Sequence, residues 1–243
     1  MYICIDIETC NASNDAIERE AAFLKAPSNI KDPTKIEAAL EAKRTDLQQR
    51  SALKCDASPI ACIGVVWPEE GFILHHLPIE FSTAGKRSDS ERDMLKQFGA
   101  WLNDLDAAPV FNESGFEIVG FNVNGFDLPR LRYAYVRHGL KLPRILTPRA
   151  ENVSIYDVQY MFGKYFMCRN GAEHDVSLDE CAVRLGLIEI EDGEWKHGIS
   201  GADVPGIIDE GDPEKMADVL SYCLIDTTIT ARAYLAMTSQ TGD

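Results

Sequence analysis

Two carboxylates stand two residues apart near the start of the chain, in Tyr2-Ile3-Cys4-Ile5-Asp6-Ile7-Glu8-Thr9. The isoleucines at 3, 5 and 7 alternate with Cys4, Asp6 and Glu8, which is the period of a strand. Asp6 and Glu8 then project from one face, about 7 Å apart along the strand, and can converge on a divalent cation that neither holds alone. An ordinary strand with one wet face has the same pattern, so the partners decide. One partner is Asp127 in Gly120-Phe121-Asn122-Val123-Asn124-Gly125-Phe126-Asp127-Leu128-Pro129. Here a strand, 117–121, runs into Asn and Gly, and an Asp follows as a helix opens. That places the carboxylate at the carboxyl edge of a sheet, where open α/β sheets put their ligands. A plain N-cap is the other reading of Asp127. The last partners are Tyr222 and Asp226, which share one face of a helix at i and i+4. The run Ile225-Asp226-Thr227-Thr228-Ile229-Thr230 has weak helix propensity, so packing or function must hold it helical.

The elements that position these groups are readable from periodicity and punctuation. After Glu8, residues 14–25 form a helix closed by Pro27, and Asp32-Pro33 opens a second that runs to about Leu53 with Ile36, Leu40 and Leu47 on one side. This pair, within 12–57, is a helical insertion between the first strand and the next. It is either a surface elaboration or a lid whose Lys31, Lys35, Lys43, Arg44, Arg50 and Lys54 face a substrate. Ile60–Trp67 and Phe72–Leu77 read as a hairpin. Ser88-Asp89-Ser90-Glu91 starts a helix whose Met94, Leu95, Phe98, Trp101, Leu102 and Leu105 form a core stripe to about Asp106. Val153–Met161 reads as a short strand containing Asp157. Ser177-Leu178-Asp179-Glu180 caps a helix ending near Leu185-Gly186. Ile188–Lys196 suits a hairpin turning at Asp192-Gly193, His197–Gly211 reads as loop, and Asp212-Pro213 starts a helix reaching about Met237.

Composition limits what such a site can serve. The 243 residues suit one α/β domain with a full core. No apolar run is long enough for a membrane span, and no signal peptide precedes the first strand. The seven cysteines, at 4, 10, 55, 62, 168, 181 and 223, form no Cys-x-x-Cys pair and no zinc spacing with the five histidines. They point to a reducing, cytoplasmic compartment. A net charge of −15 argues against passive polyanion binding. The charge is segregated, however. The 23 residues from Leu128 to Ala150 contain no acid but carry Arg130, Arg132, Arg137, Lys141, Arg144 and Arg149, whereas Glu173 to Asp218 holds 14 acids against three bases. The basic block is either a solvated helix face or a phosphate-binding track beside the candidate site.

In order and approximate spacing, the three segments resemble the motifs of the DEDD exonuclease superfamily in its tyrosine-bearing branch, and within it the 3′–5′ proofreading domain of family B DNA polymerases. Asp6-Ile7-Glu8-Thr9 is similar to the first motif, Gly120–Pro129 to the second nearly residue for residue, and Tyr222-Cys223-Leu224-Ile225-Asp226 to the third. Ser177-Leu178-Asp179 and Leu185-Gly186 resemble the helix before the third motif. Where the histidine-bearing branch has its histidine, this chain has Ser221. The insertion at 12–57 is longer than expected of a proofreading domain. No polymerase domain follows, so the expectation is a free-standing exonuclease, residues 1–243 as one domain.

The resemblance implies a ribonuclease-H-like mixed sheet of five strands flanked by helices, and release of nucleoside monophosphates from the 3′ ends of single-stranded DNA or RNA. DNA is favoured, and a replication or repair protein is a further partner class. It implies Asp6, Glu8, Asp127, Tyr222 and Asp226 as catalytic residues. Asp6 would bridge two divalent cations, with Glu8 and Asp226 on the one carrying the nucleophile and Asp127 on the other. Four carboxylates without histidine or cysteine partners select Mg²⁺ or Mn²⁺. Tyr222, with an ordinary phenol value near 10, suits orienting water better than deprotonating it. Asn122, Asn124, Phe126 and Arg130 are candidates to hold the terminal nucleotide. Two other classes remain open: an exonuclease-like binding module without catalysis, and an acidic interaction protein that docks a basic partner.

Overall fold

A computed structural model describes all residues except 55, 69, 78–84, 109–114, 149, 168–175, 189–198 and 240–243. Its centre is β1, Tyr2–Thr9. On one side β1 pairs antiparallel with β2, Ile60–Trp67, which pairs antiparallel with β3, Glu70–His75. On the other side it pairs parallel with β5, Phe116–Gly120, and β5 pairs parallel with β6, Val153–Asp157. A three-residue strand, β4, Gly85–Arg87, adds to the free edge of β3. The sheet thus has six strands in the order β4-β3-β2-β1-β5-β6 rather than the five expected. The extra strand is too short to show a two-residue period, and pairing with β3 is what makes it one.

The alternation along β1 divides the core between the two faces. Ile3, Ile5 and Ile7 pack under α4, Glu91–Ala107, and α5, Asp127–Arg137, with Met94, Leu95, Phe98, Leu102, Leu131 and Tyr135 all buried. Tyr2 and Cys4 face the long C-terminal helix of the chain, which packs Ala231, Ala233 and Met237 against them. Burying a leucine- or isoleucine-sized side chain contributes about 1.5–3 kcal/mol, so these two layers fix β1 in register. Asp6 and Glu8 are only half-buried in an otherwise buried strand.

Between β1 and β2 lie α1, Asn14–Ala21, α2, Pro33–Gln49, and α3, Ser51–Lys54. The expected single helix from Pro33 is broken at Arg50, whose ψ of 34° leaves the helical region. Of Ile36, Leu40 and Leu47 only Leu47 is buried, against Ala16, Ile17 and Ala21 of α1. Three of the six cations of the lid reading are engaged locally, Lys54 with Asp46, Arg44 with Glu41 and Lys43 with the Lys25 carbonyl, while Lys31, Lys35 and Arg50 are exposed.

The expected strand to Met161 ends at Asp157 instead. The Asp157 side chain caps α6, Val158–Met161, by accepting from Tyr160 N at 3.3 Å, and a π-helical turn, Phe162–Phe166, continues it. Ser177 caps α7, Leu178–Arg184, as expected. The stretch read as loop contains α8, Val204–Glu210, closed by Gly211 at φ 72° and held by Val204 and Ile207 against Val219 and Tyr222. The expected turn at Asp192-Gly193 lies outside the described residues. The last helix, α9, is Pro213–Ser239. Among the described residues no helix is long and apolar enough to cross a membrane.

Candidate active site

Asp6 and Glu8 lie at the carboxyl end of β1, on the face covered by α9. Their carboxylate oxygens and Cys223 Sγ from α9 all fall within 4.8 Å of one another. A register shift between Glu8 and Thr9 loosens the pairing with β2 at this rim, as bulges beside functional sites do. The rim is braced from below by the insertion: Thr9 Oγ1 donates to Ala52 O at 2.9 Å, and Ala12 N to Ser51 Oγ at 3.1 Å.

The helix α9 reaches β1 because β2 offers it bare backbone. Gly64 stands opposite Asp6 in the register. A Cβ there would come within 2.4 Å of Thr227 Oγ1 and 3.1 Å of Cys223 Sγ. Any side chain at 64 would therefore push away the turn of α9 that carries Tyr222 and Asp226. Thr227 Oγ1 in turn donates to Cys223 O at 2.7 Å, closing the same turn. The phenol of Tyr222 is hydrogen-bonded to Asp226, as the i, i+4 spacing predicts, and its ring is 7% exposed, packed by α8. Asn11 Nδ2 donates to Asp209 Oδ2 at 2.8 Å and so ties α8 back to the end of β1.

Asp127 arrives from the other side. It is not an N-cap: α5 begins with it, and its Oδ1 accepts from Ile7 N at 3.0 Å. The loop that delivers it turns at Asn122, whose φ is 56°, and Gly125 N and Phe126 N both donate to Asn122 O. A Cβ at Gly125 would stand 2.4 Å from Asn122 Oδ1, so a larger residue there would have to turn the exposed Asn122 side chain aside. One carboxylate holds the loop in place: Asp157 accepts from Asn122 N and Asn124 N, both at 3.1 Å. The side chains of Asn122 and Asn124 are exposed on the rim, and Phe126 is half-buried.

Electrostatics joins the three segments into one site. The Asp6 carboxyl is held well above the usual carboxylate range, first by burial and then by Asp127 and Asp226. Asp127 is pushed up to about 8, first by burial; its bond from Ile7 N and the nearby Arg130 pull the other way. The Tyr222 phenol is also raised, by burial and then by Asp226, Glu8 and Asp6. The protonated phenol therefore donates to Asp226. The Cys223 thiol is raised as well, first by its hydrogen bond with Cys62 and then by burial. For a hard cation the donors are oxygens: the Asp6 and Glu8 carboxylates, which approach each other here, with Asp127 and Asp226 as the neighbouring candidates. That donor set fits hard divalent ions such as Mg²⁺ or Mn²⁺, whose charge would relieve the repulsion among the carboxylates.

The basic block resolves differently. Arg130 is 5% exposed, donates to Leu53 O at 2.6 Å and lies over the Phe126 ring at 4.8 Å. Arg132 Nε donates to Leu146 O. Arg137 pairs with buried Glu91 and donates to Ala57 O. Arg144 pairs with Asp106. Arg130 and Arg137 brace α5 against α3, the segment before β2 and the start of α4, Arg132 ties it to the turn at Arg144–Leu146, and Arg144 ties that turn to α4; these four do not form an open track. Lys141 is exposed, and Arg149 lies outside the described residues.

Sequence reasoning missed Gly64, Asp157 and α8. Gly64 carried a signal, since an isolated glycine in a strand often marks close backbone approach. Asp157 directly before a helix is an N-cap signal, hidden by the apolar residues that follow it.

A comparison with curated proteins gives no match. Among solved structures, the chain is similar to the family B DNA polymerase from the hyperthermophilic archaeon Pyrobaculum calidifontis, at 17% identity and a TM-score of 0.53. The similarity covers 98% of this chain and 24% of the polymerase, so the chain spans about a quarter of that protein's length. The shared fold is the mixed α/β architecture described above. Residues 57–243, which include Asp127, Tyr222 and Asp226, match the family described as predicted 3′–5′ exonuclease related to the exonuclease domain of PolB, and the chain belongs to that family.

Proposed function

We propose that this chain is a metal-dependent 3′–5′ exonuclease of single-stranded nucleic acid, DNA before RNA, built as one domain with residues 12–57 inserted. The observation that carries the reading is the approach of Asp6, Glu8, Asp127, Tyr222 and Asp226, from three segments at least 95 residues apart, to one sheet edge. Asp6, Glu8 and Asp226 would hold one divalent ion and Asp6 with Asp127 a second. When bound, such ions neutralise the phosphodiester and lower the pKa of a water at its phosphorus.

The chain's own residues do the rest. The Tyr222 hydroxyl is held by Asp226; with Asp226 on a cation, that hydroxyl would turn to hydrogen-bond and orient the attacking water. Asn122 and Asn124 present side-chain amides at the rim, where the terminal nucleotide would lie. Half-buried Phe126, with Arg130 over its ring, stands next to Asp127 in the chain and would flank that nucleotide. The five described cysteines, 4, 10, 62, 181 and 223, are free thiols, which suits the cytoplasm.

The test is digestion of 5′-labelled single-stranded DNA and RNA, side by side, in Mg²⁺, Mn²⁺ or chelator. The expected result is metal-dependent release of nucleoside monophosphates that Asp6→Asn abolishes. Binding without release by wild type would instead make the chain a binding module. Release that persists in chelator or in Asp6→Asn would refute the proposal.

A further inference from the structure

The parallel strands β1, β5 and β6 deliver their carboxyl ends to the same edge in that order. Glu8 ends the first, Asn122 and Asn124 follow the second, and Asp157 ends the third. Two strand spacings separate β1 from β6, about 10 Å. The Asp157 carboxylate links the last two stations directly, accepting from Asn122 N, Asn124 N and Tyr160 N. Beyond it the chain enters α6 and the π-helical turn, a form that often marks function.

That segment is unusually aromatic for a surface. Phe162 is buried and anchors it, but Tyr160 is 47% exposed, Tyr165 62% and Phe166 37%. Lys164 Nζ lies 4.9 Å from the Tyr160 ring centre and 5.0 Å from that of Tyr165, and it donates to Tyr160 Oη at 2.6 Å. Single exposed apolar side chains are ordinary. Tyr160 and Tyr165 hold one ammonium between their rings, and Phe166, stacked on Phe162 with centroids 6.1 Å apart, extends the same surface, so these aromatics are not scattered in that sense. In a chain of net charge −15 a cation placed between two rings suits a phosphate flanked by bases.

We propose that Tyr160, Lys164, Tyr165 and Phe166 form a stacking site for the bases upstream of the 3′ terminus of a single-stranded substrate. The proposal rests on the exonuclease reading above, and it assigns the direction in which the strand leaves the carboxylates: outward across β5 and β6. Each ring has a face to offer whichever base arrives, so the site tolerates any sequence, and Lys164 neutralises the intervening phosphate.

The test measures dissociation constants for fluorescent single strands of two, four, six and ten nucleotides in chelator, where nothing is cleaved. Wild type should bind more tightly as length grows. Tyr165→Ala and Tyr160→Ala should each weaken the ten-nucleotide complex by about 5- to 100-fold and flatten the length dependence. Tyr165→Phe should restore it, because the ring remains. Lys164→Gln should lower the slope of log affinity against log salt by about 0.7. Melting curves for each variant separate lost binding from lost fold, and all four side chains act at the surface. An unchanged length dependence in Tyr160→Ala and Tyr165→Ala overturns the site, as does a wild type whose affinity does not grow with length. A change in sedimentation in these variants would overturn it too, by assigning the patch to a second copy of the chain. Nucleotide release by wild type, measured separately with metal, reports the exonuclease reading alone.

Discussion

Asp127→Asn should make the metal-free protein more stable, and the gain should depend on pH. The Asp127 carboxyl is pushed from 3.8 up to about 8, chiefly by burial. At about 1.4 kcal/mol per tenfold, that separation corresponds to roughly 6 kcal/mol lost on ionisation. Asp6 shares the repulsion, and the two titrate as a set, so about 2–4 kcal/mol is the expected share. The amide keeps an oxygen to accept from Ile7 N at 3.0 Å, so the substitution removes the charge and leaves the bond. Because the folded-state value lies above the unfolded one, wild-type stability is intact below about pH 4 and falls as the pH rises from 4 to 8. The advantage of the variant should therefore be less than half-developed at pH 5.5 and complete above pH 8. For a chain of this size it amounts to roughly 5–15 °C in Tm. The assay is thermal unfolding in chelator at pH 5.5 and 8.5, repeated with millimolar Mn²⁺. A cation at a hundredfold excess over its Kd adds about 2.7 kcal/mol to wild type, and the variant should gain far less, so the gap closes. A variant that melts at or below wild type in chelator at pH 8.5 would refute the electrostatic account of the site, and so would an advantage of equal size at both pH values.

Three further outcomes follow from the same geometry. Tyr222→Phe keeps the packed ring and removes one donor, so the single-turnover rate should fall about 10²-fold with little change in substrate affinity, whereas Asp226→Ala should remove nearly all turnover; wild-type speed in Tyr222→Phe would reduce the phenol to a packing residue. Arg137→Ala removes the Nη2 that bridges both oxygens of buried Glu91 and leaves that carboxylate with His138 and Ile60 N, so it should cost about 1–3 kcal/mol in denaturant unfolding while leaving the salt dependence of binding unmoved; a reduced salt slope would return Arg137 to the substrate surface. Gly64→Ala should slow turnover by displacing α9 and cost about 1–3 kcal/mol, and Thr227→Ala in the same chain, by removing the nearest atom, should restore part of both; no effect of Gly64→Ala on rate would show that the helix position is not critical.

The carboxylates were legible because each sits in a segment whose own periodicity fixes its face. Ile3, Ile5 and Ile7 leave Asp6 and Glu8 nowhere to point but toward α9, and an i, i+4 pair must share a helix face. The loop at Asn122–Asp127 was legible because Asn and Gly between a strand and a helix mark a turn with left-handed backbone. What stayed hidden depends on contacts between segments remote in sequence. Six arginines and lysines in a window without acids read as an exposed basic face. The partners of Arg130, Arg137 and Arg144, namely Glu91, Asp106, Leu53 O and Ala57 O, lie 38 to 80 residues away and no local pattern announces them. α8 was hidden by its own composition, since Pro and Gly inside Val-Pro-Gly-Ile-Ile suggest loop. The packing of Val204 and Ile207 on Tyr222 overrides that preference.

The site and the core are joined at Gly64. A chain that gathers four carboxylates bears their repulsion in the folded state, and the surrounding packing must offset it. The packing that does so is the buried apolar face of α9, running from Met216 to Met237 across the sheet. That helix reaches the sheet closely at the point where β2 has no side chain, opposite Asp6. The same contact therefore supplies apolar burial and sets the distance at which Asp226 and Tyr222 meet Asp6 and Glu8. Stability and chemistry here draw on one interface, and a substitution that loosens it should lose turnover before it loses the fold. Near 3 Å, a few tenths of an ångström in the position of α9 is small for packing and large for a set of oxygen ligands that must converge on one ion.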